Sequence, residues 1–478
     1  MKPRRDDVLF VVVLVLWVAV IGATWPRALS FVDEVGYVGR TKLLLEGHLS
    51  YVPGSPGVWV ETDRGRVGVY PLLQSLLLTP FAAFWPRAMF ALAVSEAVFL
   101  AVLARAILRS WGKSPLWAGL VLAHPTIAIL ARTTMADLGL AAATLAGWWA
   151  LRRGRRVATV AWLAILVALK PAGAVLALAV VAGEALSSRA ALRAREPAAW
   201  RRLGWGFGGG AAGLALAVAC NLLSNGRAWF DLPRAHVGPL FELAALTRAA
   251  PLHAVTMLAV PPLLGLGALA YWRRRELGPL VVSAGFFAMM CVYYFVDVGA
   301  NVFETLVLAP RLLLPVVAFL LVGYAALLDD LAARVGATRP AGADAPSSPH
   351  PALAAALFVL PLAVVSGVSL THAASQRDMG IVRDVASSVA DAHGERTLGV
   401  TPLALKAGLL HEGPTRLYDP AGERPAAVFC SEVWPSHRAG ARQAGALAAR
   451  CDLPGYHPMN ARGGFFALAR DDAGGDAR

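Results

Sequence analysis

Apolar runs about as long as a bilayer is thick recur along this chain, separated by short clusters of arginine. A helix needs about 20 apolar residues to cross the hydrocarbon core, and soluble cores rarely repeat that pattern. The runs fall at 8–24, 70–86, 88–108, 115–131, 135–151, 157–170, 172–186, 203–223, 251–271, 277–296, 305–328 and 351–370. Of the 478 residues, 57% are hydrophobic and 16% charged, against about 25% charged in an ordinary soluble domain. The expected fold class is therefore a polytopic α-helical membrane protein with about 11–13 spans.

The formal charge of +13 would suit nucleic acid if it lay on one polar face. It lies instead in short loops between apolar runs, where the positive-inside rule puts it, so a nucleic-acid partner is excluded. The strongest clusters are Arg152, Arg153, Arg155 and Arg156, then Arg189 to Arg202, then Arg273 to Arg275. All three are taken as cytoplasmic, and the basic flank Met-Lys-Pro-Arg-Arg before the first run reads as a retained first helix rather than a signal peptide, with the N-terminus inside and the first loop, 26–69, outside. Loops 224–250 and 297–304 are then also external. The Pro/Ala/Ser-rich linker at about 329–350 is cytoplasmic, and the tail 372–478 is extracytoplasmic. One parity conflict remains: three runs separate two external points. Run 70–86 and run 115–131 are both broken by proline, and either one would serve as the segment that fails to cross.

Two domains follow from the composition. Residues 1–371 form the membrane-embedded part, and 372–478 form a small α/β domain. The tail has Gly/Pro turns, β-prone stretches at Thr397–Thr401 and Ala426–Phe429, and a helical stretch at about 379–393. Cys220 and Cys291 lie in apolar segments and read as packing residues. Cys430 and Cys451 lie in the tail, as a disulfide or as two free thiols. No Cys/His cluster has the spacing of a structural zinc site.

Four polar features interrupt the apolar pattern. Ser30-Phe-Val-Asp-Glu-Val-Gly-Tyr37 follows the first run, and its adjacent Asp33 and Glu34 are a candidate general base and partner, or an acidic helix start. Arg132 and Asp137 bracket the entry to run 135–151. There they are either a pair facing a polar cavity, or a helix-start charge and a snorkelling arginine. Lys170 precedes Pro171 at the outer end of its run, as a phosphate ligand or an interfacial anchor. Arg311, in Ala309-Pro-Arg-Leu-Leu-Leu-Pro315, lies a few residues inside a span, as a bidentate phosphate ligand or a snorkelling side chain. Topology anchored on other residues puts all of them on one side of the membrane. His236, in the loop with Trp229, Asp231 and Arg234, reads as a surface histidine because no partner can be named for it.

The order Asp33-Glu-x-x-Tyr37, Tyr70-Pro-Leu-Leu, Arg132…Asp137, basic loop, Lys170-Pro171 and Pro310-Arg-Leu-Leu-Leu-Pro315 resembles the GT-C glycosyltransferases. The likeness is to the protein mannosyltransferase and lipid A aminoarabinose transferase branch, and covers about residues 8–330. It implies a bacterial inner-membrane enzyme moving a sugar, with inversion, from a polyprenyl-phosphate donor to an extracytoplasmic glycan, lipid or protein acceptor. Asp33 would be the base, Glu34 would support it, and Asp137 would fill the second acidic position. Lys170, Arg311 and Arg132 would bind the donor phosphate, and Tyr37 would wall the pocket. A divalent cation is compatible with these carboxylates, but the sequence requires none. Two departures stand out: Tyr70-Pro-Leu-Leu lacks the family's double proline, and leucine follows Arg311 where an aromatic is common. The competing reading is a non-catalytic transporter or flippase of lipid-linked sugars. That reading predicts inverted repeats and midplane charges, whereas here no repeat is evident and the charges cluster at one face.

Overall fold

The computed structural model describes residues 5–52, 55, 59–62, 65–226, 228, 241–293, 302–337, 364–371, 396–398, 415–417, 425, 427–431, 453–462 and 465–471. The protein is a polytopic helical membrane protein with a small sheet in its C-terminal region. Its principal helices are α1 (Arg5–Ala23), α2 (Val32–Leu45), α3 (Leu72–Phe84), α4 (Phe90–Ser110), α5 (Asp137–Arg152) and α6 (Arg156–Leu169). They continue with α7 (Ala172–Ser187), α8 (Pro197–Asn225), α9 (Leu246–Ala259), α10 (Gly267–Arg274), α11 (Leu277–Cys291) and α12 (Leu314–Ala337). Among the described residues, four helices are long and apolar enough to cross a bilayer: Arg5–Ala23, Pro86–Ser110, Pro197–Asn225 and Thr305–Arg334. Shorter apolar helices fill the space between them.

Helix α1 is a ruler for the bundle. Asp7 and Thr24 mark its two ends, about 25 Å apart at 1.5 Å per residue. At the Asp7 end, Arg105 reaches Asp7 at 2.8 Å and Arg109 also pairs with it. Ser114 donates to Asp6 at 2.5 Å, Lys113 pairs with Asp330, and Trp117 donates to Asp329 at 3.1 Å. Arg274 donates to the carbonyl of Trp111 at 3.3 Å. At the Thr24 end, Arg132 donates to the Thr24 hydroxyl, and Trp25 donates to the carbonyl of Arg87 at 3.2 Å.

These contacts resolve the parity conflict. The segment from Ser114 to Arg132 runs from the Asp7 end to the Thr24 end, so run 115–131 crosses. It does so in pieces, as a 3₁₀ turn at Pro115–Ala118 and short helices at Gly119–Leu122 and Pro125–Leu130, the first and last of which open on a proline. Run 70–86 stays at one end. Gln74 donates to the carbonyl of Thr134 at 3.0 Å near its start, and Arg87 meets Trp25 just past its finish.

Two other runs are less continuous than their hydropathy predicts. Run 251–271 breaks between α9 and α10 at Val260-Pro261-Pro262, because neither proline can donate to the helix ladder. Run 305–328 is interrupted by a 3₁₀ turn at Ala309–Leu313 that carries Pro310. Irregular backbone at membrane depth requires buried partners. His124 contacts the carbonyl of Val260 at 3.0 Å, and Thr126 donates to the carbonyl of Val307 at 2.6 Å. The last run is described only as a helix over 364–371.

Close helix contacts depend on glycine. A Cβ at Gly173 would lie 1.9 Å from the carbonyl oxygen of Leu166, and one at Gly267 would lie 2.1 Å from that of Leu320. The C-terminal sheet has strand order β4-β3-β5-β7-β6, with β3 (Arg396–Leu398), β4 (Thr415–Leu417), β5 (Ala427–Ser431), β6 (Tyr456–Arg462) and β7 (Phe465–Arg470). An antiparallel pair, β1 (Trp59–Thr62) and β2 (Gly65–Gly68), stands in the first loop. Strand β3 pairs in parallel with β4 and β5. Strands β3 and β5 fall on the two predicted stretches. Cys220 and Cys291 are buried free thiols. The predicted helix at 379–393, the pairing of Cys430 with Cys451, and the loop positions Trp229, Asp231, Arg234 and His236 lie outside the described residues.

Candidate active site at the Thr24 end

Each candidate residue is placed by a local signal. Phe31 is the N-cap of α2, which makes Glu34 the third helical residue, and its carboxylate folds back onto the N-cap N–H. Within α2, the spacing of Asp33, Tyr37 and Arg40 puts them on one face. Asp137 opens α5, where a helix start favours an anion. Lys170 is extended (φ −152°) because Pro171 disfavours the helical region for the residue before it, so α6 ends at Leu169. Arg311 sits in the 3₁₀ turn leading into α12.

Two ion pairs form the site. Lys170 Nζ lies 2.7 Å from Asp137 Oδ1, with the carboxylate 4% exposed and the ammonium 22%. Arg311 Nη1 lies 3.6 Å from Asp33 Oδ2, with the guanidinium 5% exposed and the carboxylate 38%. Asp33 is thus the open carboxylate and Asp137 the closed one. Tyr70 donates to Asp33 Oδ1 at 2.7 Å, and the Arg311 guanidinium stacks over Phe31 at 4.8 Å.

Tyr37 joins the two pairs. Its ring lies 4.8 Å from that of Tyr70, and its buried hydroxyl makes no hydrogen bond. Burial, then the charges of Asp137 and Asp33 and the neighbouring Tyr70, push this hydroxyl well above its usual pKa, against the opposing pull of Arg311. It stays a neutral donor without an acceptor, facing both halves of the site. Asp137 Oδ2 is likewise buried without a hydrogen-bond donor.

Glu34 and Arg132 occupy different places from the other candidates. Glu34 is fully buried and accepts from Ser30 N at 2.6 Å, Phe31 N at 2.8 Å, Thr134 N at 2.7 Å and Thr134 Oγ1 at 3.2 Å. Burial raises its pKa, and these donors work against that shift. It stitches α2 to the segment before α5 and lies behind Asp33. Asp137 takes Lys170 as its ion-pair partner rather than Arg132, which the sequence offered as the obvious one. Arg132 is fully buried and donates to Thr24.

The fold has counterparts among solved structures. ArnT from Cupriavidus metallidurans bound to undecaprenyl phosphate superposes with a TM-score of 0.61 at 16% identity, covering 97% of each chain. Its apo form gives 0.60 at 16% identity, over 98% of this chain and 99% of that one. The chain has a GT-C fold. No protein-family model and no curated protein sequence matches it.

Within this GT-C fold the structure adds residues that sequence reasoning missed. Tyr70 entered only as part of a motif, yet it touches the candidate base. Arg40 lies behind Tyr70 and donates to its backbone carbonyl, and Asn225 in turn accepts from Arg40. Glu96, in α4, has a buried unpartnered Oε2 beside the first turn of α5. A lone carboxylate within run 88–108 was the available signal for it. Among the described residues, no group of three or more His, Cys, Asp or Glu side chains gathers as a metal site.

Proposed function

We propose that the protein is a glycosyltransferase that takes a sugar from a polyprenyl-phosphate donor and passes it to a hydroxyl acceptor outside the cytoplasm. The reading rests on one observation above all: the exposed carboxylate of Asp33 stands 3.6 Å from the buried guanidinium of Arg311. The full-length likeness to the fold of ArnT, a protein solved with undecaprenyl phosphate, supports the choice of donor.

In this mechanism the acceptor oxygen attacks the anomeric carbon while Asp33 Oδ2 takes its proton. The bond from the anomeric carbon to the phosphate oxygen breaks, with inversion at that carbon. The departing polyprenyl phosphate carries the electron pair, and Arg311 and Lys170 stabilise its charge. Arg311 supplies the planar fork suited to phosphate, and Lys170 supplies a point charge. Asp137 holds Lys170 in place. Tyr37 walls the pocket and offers its free hydroxyl to substrate. Arg132 backs the wall from Thr24. The membrane-embedded part, 1–371, would carry the chemistry, with 372–478 as a separate domain on the acceptor side. The arginine clusters would face the cytoplasm of a bacterial inner membrane.

The test is binding and turnover with purified protein. Polyprenyl phosphate should bind, and the uncharged polyprenol should bind at least tenfold more weakly. Arg311→Ala should weaken the phosphate lipid by about 10- to 100-fold, the loss of hydrogen bonds to a charged group. Equal affinity for phosphate and alcohol would refute the donor assignment. Lipid transport without transfer would favour the flippase.

A further inference from the structure

Behind the candidate base lies a second layer of polar groups that the proposed chemistry does not use. Arg40 is 3% exposed. Its Nη1 donates to the backbone carbonyl of Tyr70 at 2.8 Å, and its Nη2 donates to Asn225 Oδ1 at 3.0 Å. The same Asn225 oxygen accepts the N–H of Gly68 at 3.2 Å. Three elements therefore meet at one amide: α2 through Arg40, β2 through its last residue Gly68, and α8 through its last residue Asn225. Gly226 follows with φ +65°, the left-handed closure that glycine allows at a helix end, so α8 stops with Asn225 in place.

From this layer the geometry reaches Asp33 by a single further bond. Tyr70 is held by its carbonyl, and its hydroxyl donates to Asp33 Oδ1 at 2.7 Å. That occupies one carboxylate oxygen and leaves Oδ2, the oxygen facing Arg311, to take a proton. Burial lowers the Arg40 guanidinium to about 10, so it remains a charged donor at neutral pH. A buried arginine spent on a backbone carbonyl and an amide is costly unless both are satisfied. Its position along the same helical face as Asp33 and Tyr37 ties that outlay to the site.

We propose that Arg40 and Asn225 are positioning residues that clamp Tyr70 against Asp33 and so select which carboxylate oxygen acts as the base. This inference rests on the glycosyltransferase reading. The end of α8, 185 residues from Arg40 in sequence, thereby sets the orientation of a carboxylate on α2.

A double-mutant cycle between Asn225→Ala and Tyr70→Phe tests it, reading kcat, donor KM and polyprenyl phosphate affinity separately. Tyr70→Phe should lower kcat by about tenfold, the weight of one hydrogen bond to a charged group. Asn225→Ala should lower kcat by a similar factor in the wild-type background and leave lipid affinity within twofold. In the Tyr70→Phe background it should cost nothing more. Asn225→Asp, which keeps an acceptor at the same place, should retain wild-type turnover. Should Asn225→Ala fold poorly, Arg40→Lys, which keeps the charge but loses the fork, must show the same dependence on Tyr70. An equal loss in both backgrounds, or a loss in lipid affinity instead of kcat, overturns the clamp. Full transfer by Asp33→Asn would instead overturn the identity of the base, and absence of transfer by the wild type would overturn both.

Discussion

Replacing Glu34 by glutamine separates two roles that adjacent carboxylates can play. The carboxylate is fully buried and accepts four hydrogen bonds, two on each oxygen. Glutamine keeps one acceptor oxygen and turns the other into an NH2 group. With its oxygen toward Thr134, the amide faces the N–H groups of Ser30 and Phe31 with another donor. Two part-buried N–H groups are then orphaned, at up to about 1–3 kcal/mol each, or about 2–6 kcal/mol together. Local opening at the start of α2 should rise by about 30-fold or more. Hydrogen exchange of the peptide spanning 28–36 reads this directly. Transfer should fall as well, because Asp33 sits one residue away on the same loosened turn. Wild-type exchange protection at Ser30 and Phe31 in Glu34→Gln would refute the clamp assigned to Glu34.

Two other substitutions probe the frame around the site. Lys170→Ala strands a carboxylate that is 4% exposed and should destabilise the protein by about 3–5 kcal/mol. Adding Asp137→Asn should restore much of the thermal stability without restoring polyprenyl phosphate affinity, which thermal melts and lipid binding measure separately. Gly173→Ala places a methyl 1.9 Å from the Leu166 carbonyl. It should pry α7 from α6 and displace Lys170, giving a lower melting temperature and weaker lipid binding, whereas Gly204→Ala, with nothing within 4 Å of the added methyl, should change neither.

Much of this architecture was legible in the sequence because hydropathy and charge report it directly. The apolar runs, where described, became helices, and arginine spacing put Asp33, Glu34, Arg132, Asp137, Lys170 and Arg311 at one end. Lys170-Pro171 was readable because proline constrains the residue before it. Hydropathy could not say whether run 70–86 or run 115–131 crosses, since both are short and proline-broken. The answer lies in hydrogen bonds between distant segments, Ser114 with Asp6 and Arg132 with Thr24. The pairing of Asp137 was also illegible. Arg132 is near in sequence, but the helix hairpin of α5 and α6 brings Lys170 closer. Glu34 read as a partner of Asp33, but successive helical residues point about 100° apart, and the turn that exposes one carboxylate buries the other. Arg40 and Asn225 carried no signal, since a buried arginine and a helix-ending asparagine look like any surface pair.

The most direct test of the catalytic account is Asp33→Asn, assayed for single-turnover transfer from a polyprenyl-phosphate sugar with polyprenyl phosphate binding measured on the same folded preparation. Removal of a general base should slow transfer by about 100- to 10,000-fold, while the phosphate lipid binds at least as tightly, because Arg311 no longer faces a competing carboxylate. Transfer at the wild-type rate by the asparagine variant would contradict the account.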